Sequence, residues 1–217
     1  LMAESQIQNF NHLKIHSQFS ICEGAIKIDD LKEISKEKKI RSLALCDTSN
    51  LCGALEFAEK ISKVGTQPII GTQINFKLDD TIGLLPLFAL NEIGYKRIIE
   101  LSSLSYLNND GTLDPHLNFE ELLKNNEGVA IFSGTINGLV GQLFNKGKFS
   151  EIEKLYSKLK QKYGDKFYIE IQRHGDQNEI SFEKFNLSQS LNLEISIIAT
   201  NEVFYSNKDM YEAHDAL

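Results

Sequence analysis

The chain is short of cysteine, of positive charge and of long apolar runs, and each shortage removes a class of protein. Its three cysteines, Cys22, Cys46 and Cys52, form no Cys-x-x-Cys pair. That excludes a disulfide framework or a zinc knuckle and reads as reduced thiols in a cytoplasmic protein. No apolar run approaches the roughly 20 residues of a membrane-spanning helix. The opening Leu1-Met2-Ala3-Glu4 lacks the basic and apolar regions of a signal peptide. Lys and Arg number 23 against 30 Asp and Glu, a net charge of −7. A protein whose whole surface binds nucleic acid would be basic, so only a local basic patch is left open. There is no repeat, low-complexity segment, Walker motif or glycine-rich phosphate loop. Gly134, Gly138 and Gly141 do not follow the G-x-G-x-x-G spacing.

What is present fits one globular α/β domain. Hydrophobic residues at 41% and charged residues at 24% are those of a folded soluble chain. A length of 217 residues suits an α/β barrel. The organising stretch runs from Phe10 to Gly24. Side chains alternate along a strand, so His12, Lys14 and His16 share one face and Leu13 and Ile15 the other. A buried parallel strand is usually apolar on both faces. This polar face therefore looks into a polar cavity, or lies on a partly solvated edge. A serine-rich turn follows, and Glu23-Gly24 can return a carboxylate to the same place.

The rest alternates strand and helix. A helix starts at Asp29, with Asp29 and Asp30 in its first turn favouring the helix dipole. Ser42-Leu43-Ala44-Leu45-Cys46 is strand two, and residues 53–64 are a helix. Strand three covers residues 68–74 and strand four residues 84–90, despite Pro86. A long helix runs over residues 93–106, a turn lies at 108–111, and Asn118 caps a short helix. Strand five covers residues 128–132. Residues 149–163 form an amphipathic helix with Ile152, Leu155, Tyr156 and Leu159 on its apolar stripe. Strand six is Phe167-Tyr168-Ile169-Glu170-Ile171. A helix at 179–191 precedes strand seven at 194–199, and a last helix begins near Asn207. Seven strands alternating with helices imply a mostly parallel sheet. Polar residues cluster at the C-terminal ends of strands two, five and seven, which favours a closed or nearly closed barrel over an open doubly wound sheet. Residues 1–9 read as a remnant or flexible start, and the end at Leu217 reads as a cut within a longer protein.

Taken in order, several stretches resemble one family. His12-Leu13-Lys14-Ile15-His16-Ser17 with Phe19-Ser20 and Glu23-Gly24 is similar to the opening motif of the polymerase-and-histidinol-phosphatase (PHP) domain, and more narrowly to the form that begins bacterial DNA polymerase III alpha subunits. The stretch from Ala44 to Phe57, then Pro68-Ile69-Ile70-Gly71, Asn91-Glu92-Ile93-Gly94-Tyr95, Phe167 to Gly175, and Ala199-Thr200-Asn201-Glu202-Val203 match in register. The resemblance implies a distorted seven-stranded (β/α)7 barrel and a single PHP domain over residues 1–217. Metal-binding members hold up to three zinc-type ions on nine ligands. Projected onto this chain, those positions are His12, Lys14, Glu23, Thr48, Gln73, Leu84, Thr135, Glu202 and Phe204. Zinc takes neutral imidazole, carboxylate or thiolate, and six of the nine cannot supply one.

The resemblance thus implies a vestigial metal site with no metal and no catalytic residue in this stretch. The whole protein would be a DNA-directed DNA polymerase whose magnesium and palm carboxylates lie elsewhere in the chain. Its implied partners are the remaining polymerase domains and the proofreading exonuclease subunit, with DNA contacted only through the full-length polymerase and no membrane involved. A histidinol-phosphatase-like metal-dependent phosphoesterase and a stand-alone interaction module are the alternatives. Loss of metal from a carboxylate cluster leaves like charges facing each other. Lys14 is therefore expected within ion-pair range of Glu23 or Glu202.

Overall fold

The computed structural model describes residues 10–107, 111–175 and 177–206. Within them the chain order is β1 (Lys14–Ile15), α1 (Ile28–Glu37), β2 (Ser42–Thr48), α2 (Ala54–Ser62), β3 (Gln67–Leu78), β4 (Thr81–Ala89) and α3 (Glu92–Leu107). There follow β5 (His116–Asn118), β6 (Val129–Phe132), α4 (Leu139–Asn145), α5 (Phe149–Tyr163), β7 (Phe167–Ile171), α6 (Gln177–Leu193), β8 (Ser196–Ala199) and β9 (Glu202–Val203). The starting residues through 9, the turn at 108–110 and the helix expected from Asn207 lie outside the described residues.

The strands form one sheet in the order β8-β7-β6-β4-β3-β2-β1-β9, with β5 pairing the far half of β3. The two ends of that order, β8 and β9, are joined by Thr200-Asn201 alone. Three Cα steps cover at most about 11 Å. The sheet must therefore curl until its ends nearly meet, which is the barrel the sequence suggests. Thr200 N–H donates to Ile171 O at 3.1 Å and His16 N–H to Val203 O at 2.9 Å, fastening both sides of the junction.

Two features depart from the expected pattern. The sheet is mixed: β4 runs antiparallel to both β3 and β6. The cause is a tight hairpin in which Leu78 faces Thr81 across Asp79-Asp80. Asp79 takes φ 52°, a left-handed conformation that short polar side chains tolerate. Pro86 pairs with Gln73 just before the β6 ladder begins at Leu87, so its missing N–H costs no bond to β6. The second departure is in the count: β5, β9 and the short α4 join the seven strands and the helices that periodicity reveals. Asn118 precedes a 3-10 turn at Phe119–Leu123, but its side chain makes no capping bond.

Alternation along the strands sorts the core. On β2, Leu43 and Leu45 face outward onto Ile28, Leu31, Phe57 and Ile61 of α1 and α2. Ala44 and Cys46 face inward and meet Phe88, Ala130 and Phe132 in the barrel interior. A larger outer core packs α3, α4 and α5 on β3, β4 and β6. In it Ile152, Leu155, Tyr156 and Leu159 of α5 are all buried, as their helical spacing requires. Small and aromatic side chains thus fill part of the barrel interior, beside the polar residues of β1, β7 and β9.

Candidate functional site

Lys14 is wholly buried inside the barrel. Its Nζ stands 3.2 Å from Glu170 Oε1 on β7 and 3.1 Å from Glu202 Oε1 on β9. Both contacts are ion pairs inside the barrel. Burial alone would lower the lysine pKa. The Glu170 and Glu202 carboxylates outweigh it, and the ammonium is held above its usual range. Glu170 Oε1 also accepts from Thr200 Oγ1 and, at 3.2 Å, from Gln172 Nε2. The Glu170 N–H donates to Ser133 Oγ at 2.9 Å.

Glu202 is the hub of the upper layer. Gln73 Nε2 donates to its Oε1 at 3.4 Å, and His16 Nε2 lies 3.4 Å from the same oxygen. Burial alone would raise this carboxyl, but contact with His16 and the Lys14 ammonium holds it down at about 2. The His16 ring stacks on Phe204, with centroids 4.6 Å apart and planes 17° from parallel. His16 Nδ1 lies 3.5 Å from Ser20 Oγ and 3.9 Å from Glu23 Oε2. Glu23 in turn accepts from Thr48 Oγ1 at 2.6 Å.

The serine-rich turn is pinned from below. Buried Asp47 accepts from Ser17 N–H at 2.6 Å and from the Ser17 and Ser20 hydroxyls, each at 2.8 Å. Thr48 N–H donates to Ser20 Oγ at 3.1 Å. These bonds fix the loop that carries Glu23 against the end of β2.

Above Lys14 a cavity of about 280 Å³ opens, lined by His16, Cys22, Glu23, Gln73, Leu84, Thr135, Asn137, Gly138, Glu202 and Phe204. A metal ion there would need several anionic or neutral donors converging on one point. What converges instead is an ammonium, which has three donors and no lone pair to give. Gln73, Leu84, Thr135 and Phe204 add no suitable ligand. Among the described residues, no group of three His, Cys, Asp or Glu side chains is arranged to hold a metal. The donor set therefore does not fit a zinc-type ion.

The PHP domain model matches residues 12–174. The chain belongs to the PHP domain family. It is 33% identical over its whole length to a DNA polymerase III subunit alpha of Caulobacter vibrioides. It is 36% identical, over 96% of its length, to one of Rickettsia felis. The chain spans about a fifth of these relatives' length, 20% and 17% respectively. Among solved structures, an amidohydrolase from Chromobacterium violaceum, described with bound sulfate and no metal, has the same fold. Its TM-score is 0.59 and its identity 11%, covering 95% of this chain and 96% of that one.

Within this PHP barrel the projected positions are only partly assembled. Glu23, Gln73, Leu84, Thr135, Glu202 and Phe204 surround the mouth, with Lys14 beneath. Thr48 faces an adjoining depression of about 390 Å³ that shares Glu23 and Leu84. His12 is not among them. It lines a separate cavity of about 650 Å³ with Phe10, Arg173, Glu183 and Asn201. Burial and then the Lys38 charge lower its pKa. Regular strand pairing on β1 begins only at Lys14, so the pair that enters the barrel is Lys14 and His16, two residues later than projected. Glu170 was missed as a site residue. Its signal was a lone carboxylate inside the apolar run Phe167-Tyr168-Ile169-Glu170-Ile171. Lys14 meets the expected ion-pair range at Glu202, not at Glu23.

Proposed function

We infer that this chain is the PHP part of a bacterial replicative DNA polymerase alpha subunit and serves there as a structural and protein-interaction domain. The full-length protein is then a DNA-directed DNA polymerase, with its magnesium ions and DNA contacts in other domains. The domain packs against that polymerase core in the cytoplasm and docks the proofreading exonuclease subunit. Support for the polymerase comes from two relatives of that name, each matched over nearly all of this chain. The observation that carries the non-catalytic role is the Lys14 ammonium between Glu170 and Glu202. A metal hydroxide nucleophile needs an ion on carboxylate and imidazole ligands, and here both carboxylates are already paired with one side-chain ammonium. Among the described residues, no helix is long and apolar enough to cross a membrane.

The experiment is a binding and activity pair on the purified chain. Co-elution with the exonuclease subunit of the same organism is expected, as is no phosphatase or nuclease turnover above background. Metal-dependent hydrolysis that is lost in the Glu23→Ala, His16→Ala double variant would overturn the non-catalytic role. Failure to bind the exonuclease subunit would remove the docking role.

A further inference from the structure

The cavity of about 650 Å³ that His12 lines lies apart from the barrel mouth, at the seam where the curled sheet closes. β8 ends the sheet and pairs only with β7, while β9, two residues further on, pairs with β1. Ahead of β1 the chain therefore faces the free edge of β8 across a gap, with α6 on one side and Thr200-Asn201 at one end. Its walls carry Phe10, Leu187 and Ile197, all exposed. A concave, mostly apolar site of this size with a few polar groups is the usual form of a small-molecule site.

Three polar features converge on it. Glu183 accepts from Arg173 Nε at 2.9 Å and from Nη2 at 2.6 Å. This fork fixes the guanidinium plane and pairs the one carboxylate in the lining. His12 Nδ1 is buried without a hydrogen-bond partner among the described residues, and its ring meets that of Phe10 edge-on at 5.2 Å. A neutral imidazole offers one donor and one acceptor. Beside them run Lys36, Lys38, Lys39 and Arg41, four exposed cations against a single Glu37. Ser42 Oγ donates to Asn11 Oδ1 at 3.0 Å and Ala44 N–H to His12 O at 3.0 Å, which brings the end of that run next to Phe10 and His12.

We propose that this groove binds a nucleotide, with the base stacked on Phe10 and the Arg173 guanidinium, its edge on His12, and its phosphate on the run from Lys36 to Arg41. Unstacked bases settle on aromatic rings and guanidinium planes, and Lys and Arg hold phosphate. The inference does not rest on the polymerase reading, because it concerns only this groove. A free mononucleotide and the end of a single strand share the chemistry.

The test is an amide NMR titration of this chain with deoxyadenosine monophosphate, deoxyadenosine, deoxyribose 5-phosphate and a single-stranded oligodeoxyadenylate. The monophosphate should shift the amides of Phe10, His12, Arg173 and Ile197 saturably. Deoxyribose 5-phosphate lacks the base and should bind about fivefold more weakly or worse, the loss expected for one stacking contact. Phe10→Ala and Arg173→Ala should each weaken the monophosphate by a similar factor. Both side chains are at least half exposed, so if one variant fails to fold the other carries the comparison. Lys38→Ala with Lys39→Ala should weaken the monophosphate and leave deoxyadenosine unchanged. Tighter binding of the oligonucleotide through the same amides assigns the site to a strand end, and equal binding assigns it to a free nucleotide; either supports the proposal. No saturable shift at millimolar nucleotide, equal binding of deoxyribose 5-phosphate, or oligonucleotide shifts confined to the run from Lys36 to Arg41 and insensitive to Phe10→Ala would overturn it.

Discussion

Glu202→Gln isolates one carboxylate at the barrel seam, and the cost of the change is set by pH. The Glu202 side chain is 20% exposed, and its carboxyl is held at about 2 against a usual 4.5. Burial opposes this shift; contact with His16 and Lys14 produces it. A folded pKa below the unfolded one contributes stability that is complete above the unfolded value and is lost as pH falls through the folded value. The window is therefore from pH 4.5 down to about 2. A difference of 2.5 units at 1.36 kcal/mol each is about 3 kcal/mol at pH 7, falling to about 1.5 kcal/mol at pH 3. The glutamine keeps a similar shape beside Gln73 and leaves Lys14 its second partner, Glu170. Urea unfolding of parent and variant between pH 7 and pH 3 is the assay. The stability gap should narrow by roughly half over that range. A gap that stays constant with pH, or one below about 1 kcal/mol at pH 7, would refute the idea that Glu202 is held ionised by the seam.

Lys14→Met should lower stability by about 3–5 kcal/mol, because it strands the buried Glu170 carboxylate and the partly buried Glu202 carboxylate, or about 2–4 °C in Tm for each kcal/mol. Adding Glu170→Gln should recover part of that loss in the same thermal scans, whereas a neutral single variant would contradict the ion pairs. Cys46 is fully buried and burial pushes its thiol pKa well above the usual value, while Cys22 and Cys52 are exposed. At pH 8, mass spectrometry after iodoacetamide treatment should find label on Cys22 and Cys52 and none on Cys46 until the chain is unfolded.

Elements with a strong period were legible in the sequence. The stripe of α5 and the apolar runs of β2 and β7 fixed their own places, because burial on one face or both repeats at a fixed spacing. The direction of β4 was not legible by alternation alone, since strand periodicity is the same in parallel and antiparallel pairs. The Asp79-Asp80 hairpin that reverses the chain was the overlooked cue. Strands of two or three residues, β5 and β9, are too short to carry a period and exist through pairing with β3 and β1. At the site, the odd chemistry of His12-Leu13-Lys14-Ile15-His16 was visible, but which two of its three polar residues enter the barrel was not. That depends on the register Lys14 to Glu202, a contact across 188 positions. Glu170 was hidden for the same reason: a carboxylate in an apolar strand announces a partner without naming it.

The most direct measurement of the claim that a lysine stands where a metal would is elemental analysis of the chain purified without chelator. Zinc, manganese and iron should each be far below one ion per chain. Two or more tightly bound ions per chain would contradict it, because the carboxylates of Glu170 and Glu202 could not serve both those ions and the Lys14 ammonium.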